Sequence, residues 1–186
     1  NGPSLMEYLD TVDVWQQSAR QAFRMPVQWV NRPNLDFRGF CGTVAEGTVK
    51  PGDAVRVLPS GVQTRVKQVL CGFDEEVHAT SGQAITLTLV DEVDASRGDV
   101  LVAAEQPAEV ADQFEAKLLW MSEQAMSPGR QYVLKLAAKE VSATITEIKY
   151  REDVNTGAHL AAKSLGLNEI ACVNLSTSAP LVFESY

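Results

Sequence analysis

Cysteine is scarce in this chain: Cys41, Cys71 and Cys172 are the only three in 186 residues. None stands in a C-x-x-C pair, and the two histidines, His78 and His159, are far from them in sequence. A disulfide framework and a zinc site therefore both lack ligands at workable spacing. The expectation is buried, reduced thiols in a cytoplasmic protein. No apolar run reaches the ~18 residues that a membrane span needs. Residues 1–10 lack the basic-then-apolar order of a signal peptide. Basic charge is also short: 16 Lys+Arg against 24 Asp+Glu leave a net charge of -8. Nucleic-acid binders draw much of their affinity from neutralising phosphates, so this balance argues against that class.

Catalytic signatures are missing as well. There is no phosphate-cradling G-x-x-x-x-G-K-[ST] and no G-x-S-x-G nucleophile elbow. Asp36-Phe37-Arg38-Gly39 matches the D-x-x-G of GTPase switch regions, but a four-residue pattern with no phosphate loop before it carries little. Asn31-Arg32-Pro33-Asn34 is not the base-reading N-K-x-D. The acidic runs Asp74-Glu75-Glu76 and Asp91-Glu92-Val93-Asp94 lack the alternation and central glycine of a calcium loop, and read as solvated loop charge. Trp15, Trp29 and Trp120 are too scattered for a base-stacking platform, so core or interface packing is the expectation.

What is present is a soluble-type composition, 45% hydrophobic and 22% charged, with β periodicity. Ser4 and Glu7 form an S-x-x-E capping box before Leu5, Met6, Leu9 and Val12, which share one helical face. This short helix looks like the tail of something upstream. Strands are predicted over 27–30, 40–44, 55–57, 64–71, 85–89 and 100–102. They are separated by Gly- and Pro-containing turns, and Ile85, Leu87 and Leu89 alternate with Thr86 and Thr88. Residues 105–109 read as a linker. A second strand-rich unit follows, over 114–121, 132–136, 141–145 and 170–175, with one or two helical turns at 158–165. Gly52-Asp53 and Gly98-Asp99 echo each other before β runs, glycine supplying the turn dihedral and aspartate a bond to the turn backbone.

Several runs then carry a resemblance. Arg38-Gly39-Phe40-Cys41-Gly42-Thr43-Val44-Ala45-Glu46-Gly47-Thr48-Val49-Lys50-Pro51-Gly52-Asp53 resembles the second domain of translational GTPases of the elongation factor Tu type. Ser81-Gly82-Gln83-Ala84-Ile85-Thr86-Leu87 and Ser96-Arg97-Gly98-Asp99-Val100-Leu101 are similar to two further motifs of that barrel, in order. The runs starting at Pro26, Phe114, Trp120, Glu147, Asp153 and Leu167 narrow the likeness. Together they resemble the large GTPase subunit of the heterodimeric bacterial ATP sulfurylase, sulfate adenylyltransferase subunit 1, from Gly2 to Tyr186.

The resemblance implies a mainly β fold of two consecutive translation-factor-type β-barrels, like domains II and III of elongation factor Tu, preceded by a short helix and linker. Residues 1–22 would be the end of a GTPase domain plus linker, 23–106 the first barrel and 107–186 the second. The last barrel strand would be short or cut after Tyr186. The parent would be an enzyme: GTP hydrolysis drives formation of adenosine 5'-phosphosulfate from ATP and sulfate, while a separate small subunit carries the adenylyl transfer. GTP and Mg would belong to the upstream GTPase domain. The chain itself would hold no cofactor, metal or catalytic residue. Expected partners are the small catalytic subunit, the chain's own GTPase domain and, in some relatives, an adenylylsulfate kinase; nucleic acid and membrane are not expected. Asn31, Arg32, Asn34, Phe37 and Arg38 are candidate interface residues, because a buried barrel strand has no need of so many polar groups. Asn155, Thr156, Asn168 and Glu169 are a second set. The alternative is a translation-factor-like module that binds tRNA or ribosome.

Overall fold

The capping box forms as the sequence requires. In the computed structural model, which describes residues 2, 4–12, 21–72 and 74–184, the Glu7 N–H donates to Ser4 Oγ at 3.3 Å and the Ser4 N–H to Glu7 Oε2 at 2.8 Å. They start α1 (Leu5–Thr11), whose residues are all exposed. Trp15, the fading of the apolar pattern over 16–20, and Tyr186 lie outside the described residues.

The chain divides into two units, residues 1–108 and 109–186. Unit 1 holds β1 (Arg24–Pro26), β2 (Trp29–Asn31), β3 (Gly39–Thr43), β4 (Thr48–Val49) and β5 (Ala54–Leu58). It continues with β6 (Gln63–Cys71), β7 (Asp74–Glu76), β8 (Ala79–Thr80), β9 (Ala84–Leu89) and β10 (Val100–Ala103). Its main sheet runs β1-β10-β5-β6-β9-β3-β2. The two ends of that path, β1 and β2, are separated in sequence only by Val27 and Gln28, so they are one bent strand and the sheet closes on itself. The closure is sealed where Arg24 bridges Glu46 and the Ala45 N–H donates to the Arg24 carbonyl at 2.8 Å. Inward side chains fill the barrel: Met25, Val27, Phe40, Val55, Val57, Val66, Val69, Leu87 and Leu101 are each at most 1% exposed. Val66 and Val69 both point inward, although three apart, because a bulge shifts the β6–β9 register between Val66 and Gln68.

Glycine is required where the bent strand crosses β3. A Cβ on Gly42 would lie 2.3 Å from the Pro26 carbonyl oxygen, and one on Gly47, at φ +73, would lie 2.6 Å from the Phe23 backbone nitrogen. These are two of the glycines that marked the motif in the sequence.

Unit 2 is built from β11 (Glu109–Leu119), β12 (Gln131–Leu136), β13 (Lys139–Glu152), β14 (His159–Leu160) and β15 (Ile170–Phe183). Its sheet runs β11-β15-β13-β12, with β14 added to β13. Strands β13 and β15 are far longer than the apolar cores read from the sequence. Register shifts at Ile145/Glu147 and Ile148/Tyr150 break the alternation partway along β13. The helical turns expected over 158–165 do not form. That stretch instead pairs Leu160 with Arg151 and His159 with Glu152, and then buries Leu165 against Met126 by a two-way backbone bridge. Ladder bonds and burial outweigh local helix propensity there. The cysteine expectation is also corrected: Cys172 is buried, but Cys41 is half-buried and Cys71 exposed. Trp29 is exposed at 59%, not packed in the core.

Gly42→Ala is expected to lower the stability of unit 1 by about 1–3 kcal/mol, since backbone rather than a flexible side chain occupies the space. Thermal unfolding monitored by circular dichroism measures it; an unchanged midpoint would contradict the crossing geometry.

Candidate docking surfaces

The polar groups singled out in the sequence fall on two surfaces, one in each unit. In unit 1, β2 runs into a loop at 32–38 and returns as β3, with Asn31 paired to Gly39. The Asn34 side-chain oxygen accepts from the N–H groups of Asp36 at 3.0 Å and Phe37 at 2.9 Å. This fixes the loop from inside, as Asx turns do. Phe37 lies over Gly39: a Cβ there would come within 2.8 Å of the ring and 2.5 Å of Thr86 Cγ2. Arg38 fastens the far end. Its guanidinium is 3.3 Å from Asp94 Oδ1 and 5.4 Å from the centroid of the Phe40 ring, while its Nε is buried with no hydrogen-bond partner. An ion pair whose acid is this exposed adds at most about 1 kcal/mol, so the loop owes its shape mainly to Asn34 and to packing. Arg32 is exposed. A cavity of about 300 Å³ opens beside the loop, lined among others by Arg32, Leu35, Phe37, Lys67 and Val90.

The second surface is one end of the unit 2 sheet. The Asp153 carboxylate accepts from the N–H groups of Asn155 at 2.9 Å and Thr156 at 3.0 Å. Glu169 accepts from the Gly166 N–H at 2.7 Å and pairs with Arg151. Asn168 adopts φ 64, and its N–H donates to the Trp120 carbonyl at 2.7 Å. Arg151 stands at the end of β13, between the two loops, so the structure brings Asn155, Thr156, Asn168 and Glu169 to one end of the sheet. Leu119, Met121, Val154 and Leu167 are exposed on these same segments.

A third group of polar side chains in unit 2 is tied together. On one face of unit 2, Glu115 accepts from Lys149 Nζ at 2.5 Å and from the Cys172 thiol at 3.3 Å. Lys149, and then the thiol, hold the Glu115 carboxyl below the usual range. Burial pushes the Cys172 thiol up, which keeps it protonated and unreactive. Among the described residues, no cluster of His, Cys, Asp or Glu has metal-binding geometry, and no helix is long and apolar enough to cross a membrane.

Three residues that matter here escaped the sequence reading. Leu35 is 91% exposed at the tip of the first loop and Val90 60% exposed across the cavity. Arg151 joins the two loops of unit 2. Leu35 sits alone in a polar run, where no periodicity marks it, and Val90 follows Leu89 directly, out of phase with the apolar alternation of β9.

The second surface has a defined pH response. Two backbone N–H groups hold the Asp153 carboxyl below its ordinary value. The Gly166 N–H, then Arg151, do the same for Glu169. Carboxyls depressed by folding stabilise fully above their unfolded values near about 4, and that contribution fades as pH falls through the folded values. Amide resonances of Asn155 and Thr156 should therefore titrate with a midpoint below that of an unfolded aspartate, and that of Gly166 below that of an unfolded glutamate, in an NMR series. Glu169→Gln should abolish the change at Gly166 alone. Midpoints at or above the ordinary carboxylate value would contradict these contacts.

Comparison with known proteins follows the same division. Residues 113–186 match the family model described as GTP-eEF1A C-terminal domain-like. Over the whole chain, "Bifunctional enzyme CysN/CysC" of Xylella fastidiosa is 52% identical, with the chain spanning 30% of that protein. "Sulfate adenylyltransferase subunit 1" of Laribacter hongkongensis is 50% identical, with the chain spanning 39% of it. The chain thus covers well under half the length of these curated relatives. Among solved structures, Sup35 complexed with GDP superposes with a TM-score of 0.82 at 19% identity, over 99% of this chain and 46% of that one. That likeness establishes the fold: translation-factor-type β domains. Along its full length the chain thus shares about half of its residues with the corresponding part of these relatives.

Proposed function

We propose that this chain is the barrel part of the GTPase subunit of a cytoplasmic sulfate adenylyltransferase, and that it works as a docking platform. In this reading the complete subunit hydrolyses GTP in an upstream domain that binds GTP and Mg. The small catalytic subunit forms adenosine 5'-phosphosulfate from ATP and sulfate, with release of pyrophosphate. The barrels join the two, and a fused or separate adenylylsulfate kinase is a further partner. The observation that carries the reading is the 50% identity to a sulfate adenylyltransferase subunit 1 along all 186 residues.

The site geometry supports a platform rather than a reaction centre. Asn34, Asp153 and Glu169 bond the backbone N–H groups of their own loops, so their side chains fix the shape of the two surfaces. The tRNA-binding alternative has less support. Its fold matches, but the cavity beside the first loop is lined by Asp36 and Glu92 as well as Arg32 and Lys67, where an RNA surface would be basic throughout.

Calorimetry of the chain against the purified small subunit tests the proposal, with a GTP analogue titrated in parallel. Binding in the micromolar range, about -8 kcal/mol, with no heat from the nucleotide is expected. Nucleotide binding by the chain alone would overturn the assignment of GTP to an upstream domain. Absence of small-subunit binding would overturn the platform role.

A further inference from the structure

We infer that Leu35 and Val90, facing the cavity beside the 32–38 loop, form the anchor by which unit 1 docks a folded protein partner, which we take to be the small catalytic subunit. The inference rests on the platform reading above and names the contact.

Exposure is the first ground. Leu35 is 91% exposed, more than any other large apolar side chain among the described residues, and Val90 is 60% exposed. Both line one cavity of about 300 Å³, with the half-buried Phe37 between the loop and the barrel wall. Single exposed leucines are ordinary; exposed apolar groups converging on a cavity are what interfaces use. Rigidity is the second ground. Asn34 bonds the N–H groups on the far side of Leu35, and Arg38 ties the end of the loop to Asp94. Leu35 is held out in water by a loop that is already ordered, so docking it costs little further conformational entropy.

Charge selects the occupant. Arg32, Arg38 and Lys67 line the cavity against Asp36, Asp91 and Glu92. Arg38 is engaged with Asp94 and Asp91 with the Thr64 hydroxyl, which leaves Arg32 and Lys67 beside Asp36 and Glu92 at the rim. A rim of balanced sign repays neither a nucleic acid nor an anionic membrane, both of which need uniform positive charge. It suits a folded protein that presents an apolar side chain and an apolar recess within charges of both signs.

The test uses the same calorimetry with four variants. Leu35→Asp and Val90→Asp should each weaken binding to the small subunit by about tenfold or more, as loss of an anchor does. Leu35→Met should retain it. Val77→Asp, which alters a residue 81% exposed elsewhere on unit 1, should leave the affinity unchanged. Thermal midpoints of the four variants equal to that of the wild-type chain establish that folding is intact. Binding by the wild-type chain that is indifferent to Leu35→Asp would overturn this inference alone. No binding by the wild-type chain would overturn the platform reading and this inference together.

Discussion

Unit 1 depends on one crossing. The segment from Arg24 to Asn31 must bend between β10 and β3 and pair with both, because only then do the sheet's two ends meet and its apolar face disappear from water. The bend brings the Pro26 carbonyl onto β3 at Gly42, where any side chain would collide. It also sets the direction in which β2 leaves the barrel. The 32–38 loop is that exit, so the position of Leu35 in space follows from the closure.

A second device recurs in both units. At Lys50–Asp53, Thr80–Gln83, Ser96–Asp99 and Gly166–Glu169, the side chain of the last residue accepts a hydrogen bond from the N–H of the first. The N–H of the last residue returns a bond to the carbonyl of the first. The third residue has positive φ each time: Gly52, Gly82, Gly98 and Asn168. Asp, Gln and Glu therefore serve as interchangeable turn locks. Asn34 and Asp153 do similar work in the loops. These side chains set the shape of the turns and loops they close.

Much of this was legible in the sequence. The period-two run at Ile85–Leu89 and the glycine spacing of 39–53 specified the first barrel, and Ser4 with Glu7 specified the helix start. The Gly-Asp echo was the visible half of the turn lock; its Gln83 and Glu169 copies use other side chains and went unread. Boundaries in unit 2 were less legible, because bulges along β13 interrupt the alternation that identifies a strand. Residues 158–165 misled for another reason: their Ala- and Leu-rich composition suits a helix, and only the distant edge of β13 and the burial of Leu165 beside Met126 decide otherwise. The candidate polar residues were found by type. The loop-holding bonds of Asn34 and Glu169 became visible only in the fold. The apolar groups that those loops display were missed, since exposure is a property of the fold and has no local pattern.

Docking through the first loop is most directly tested by mapping the contact itself. Amide hydrogen exchange of the chain, with and without saturating small subunit, would locate the footprint. Slowed exchange concentrated over 32–38 and around Val90, with the rest of unit 1 unchanged, is the predicted result. A footprint that spares the 32–38 loop while binding persists would contradict it.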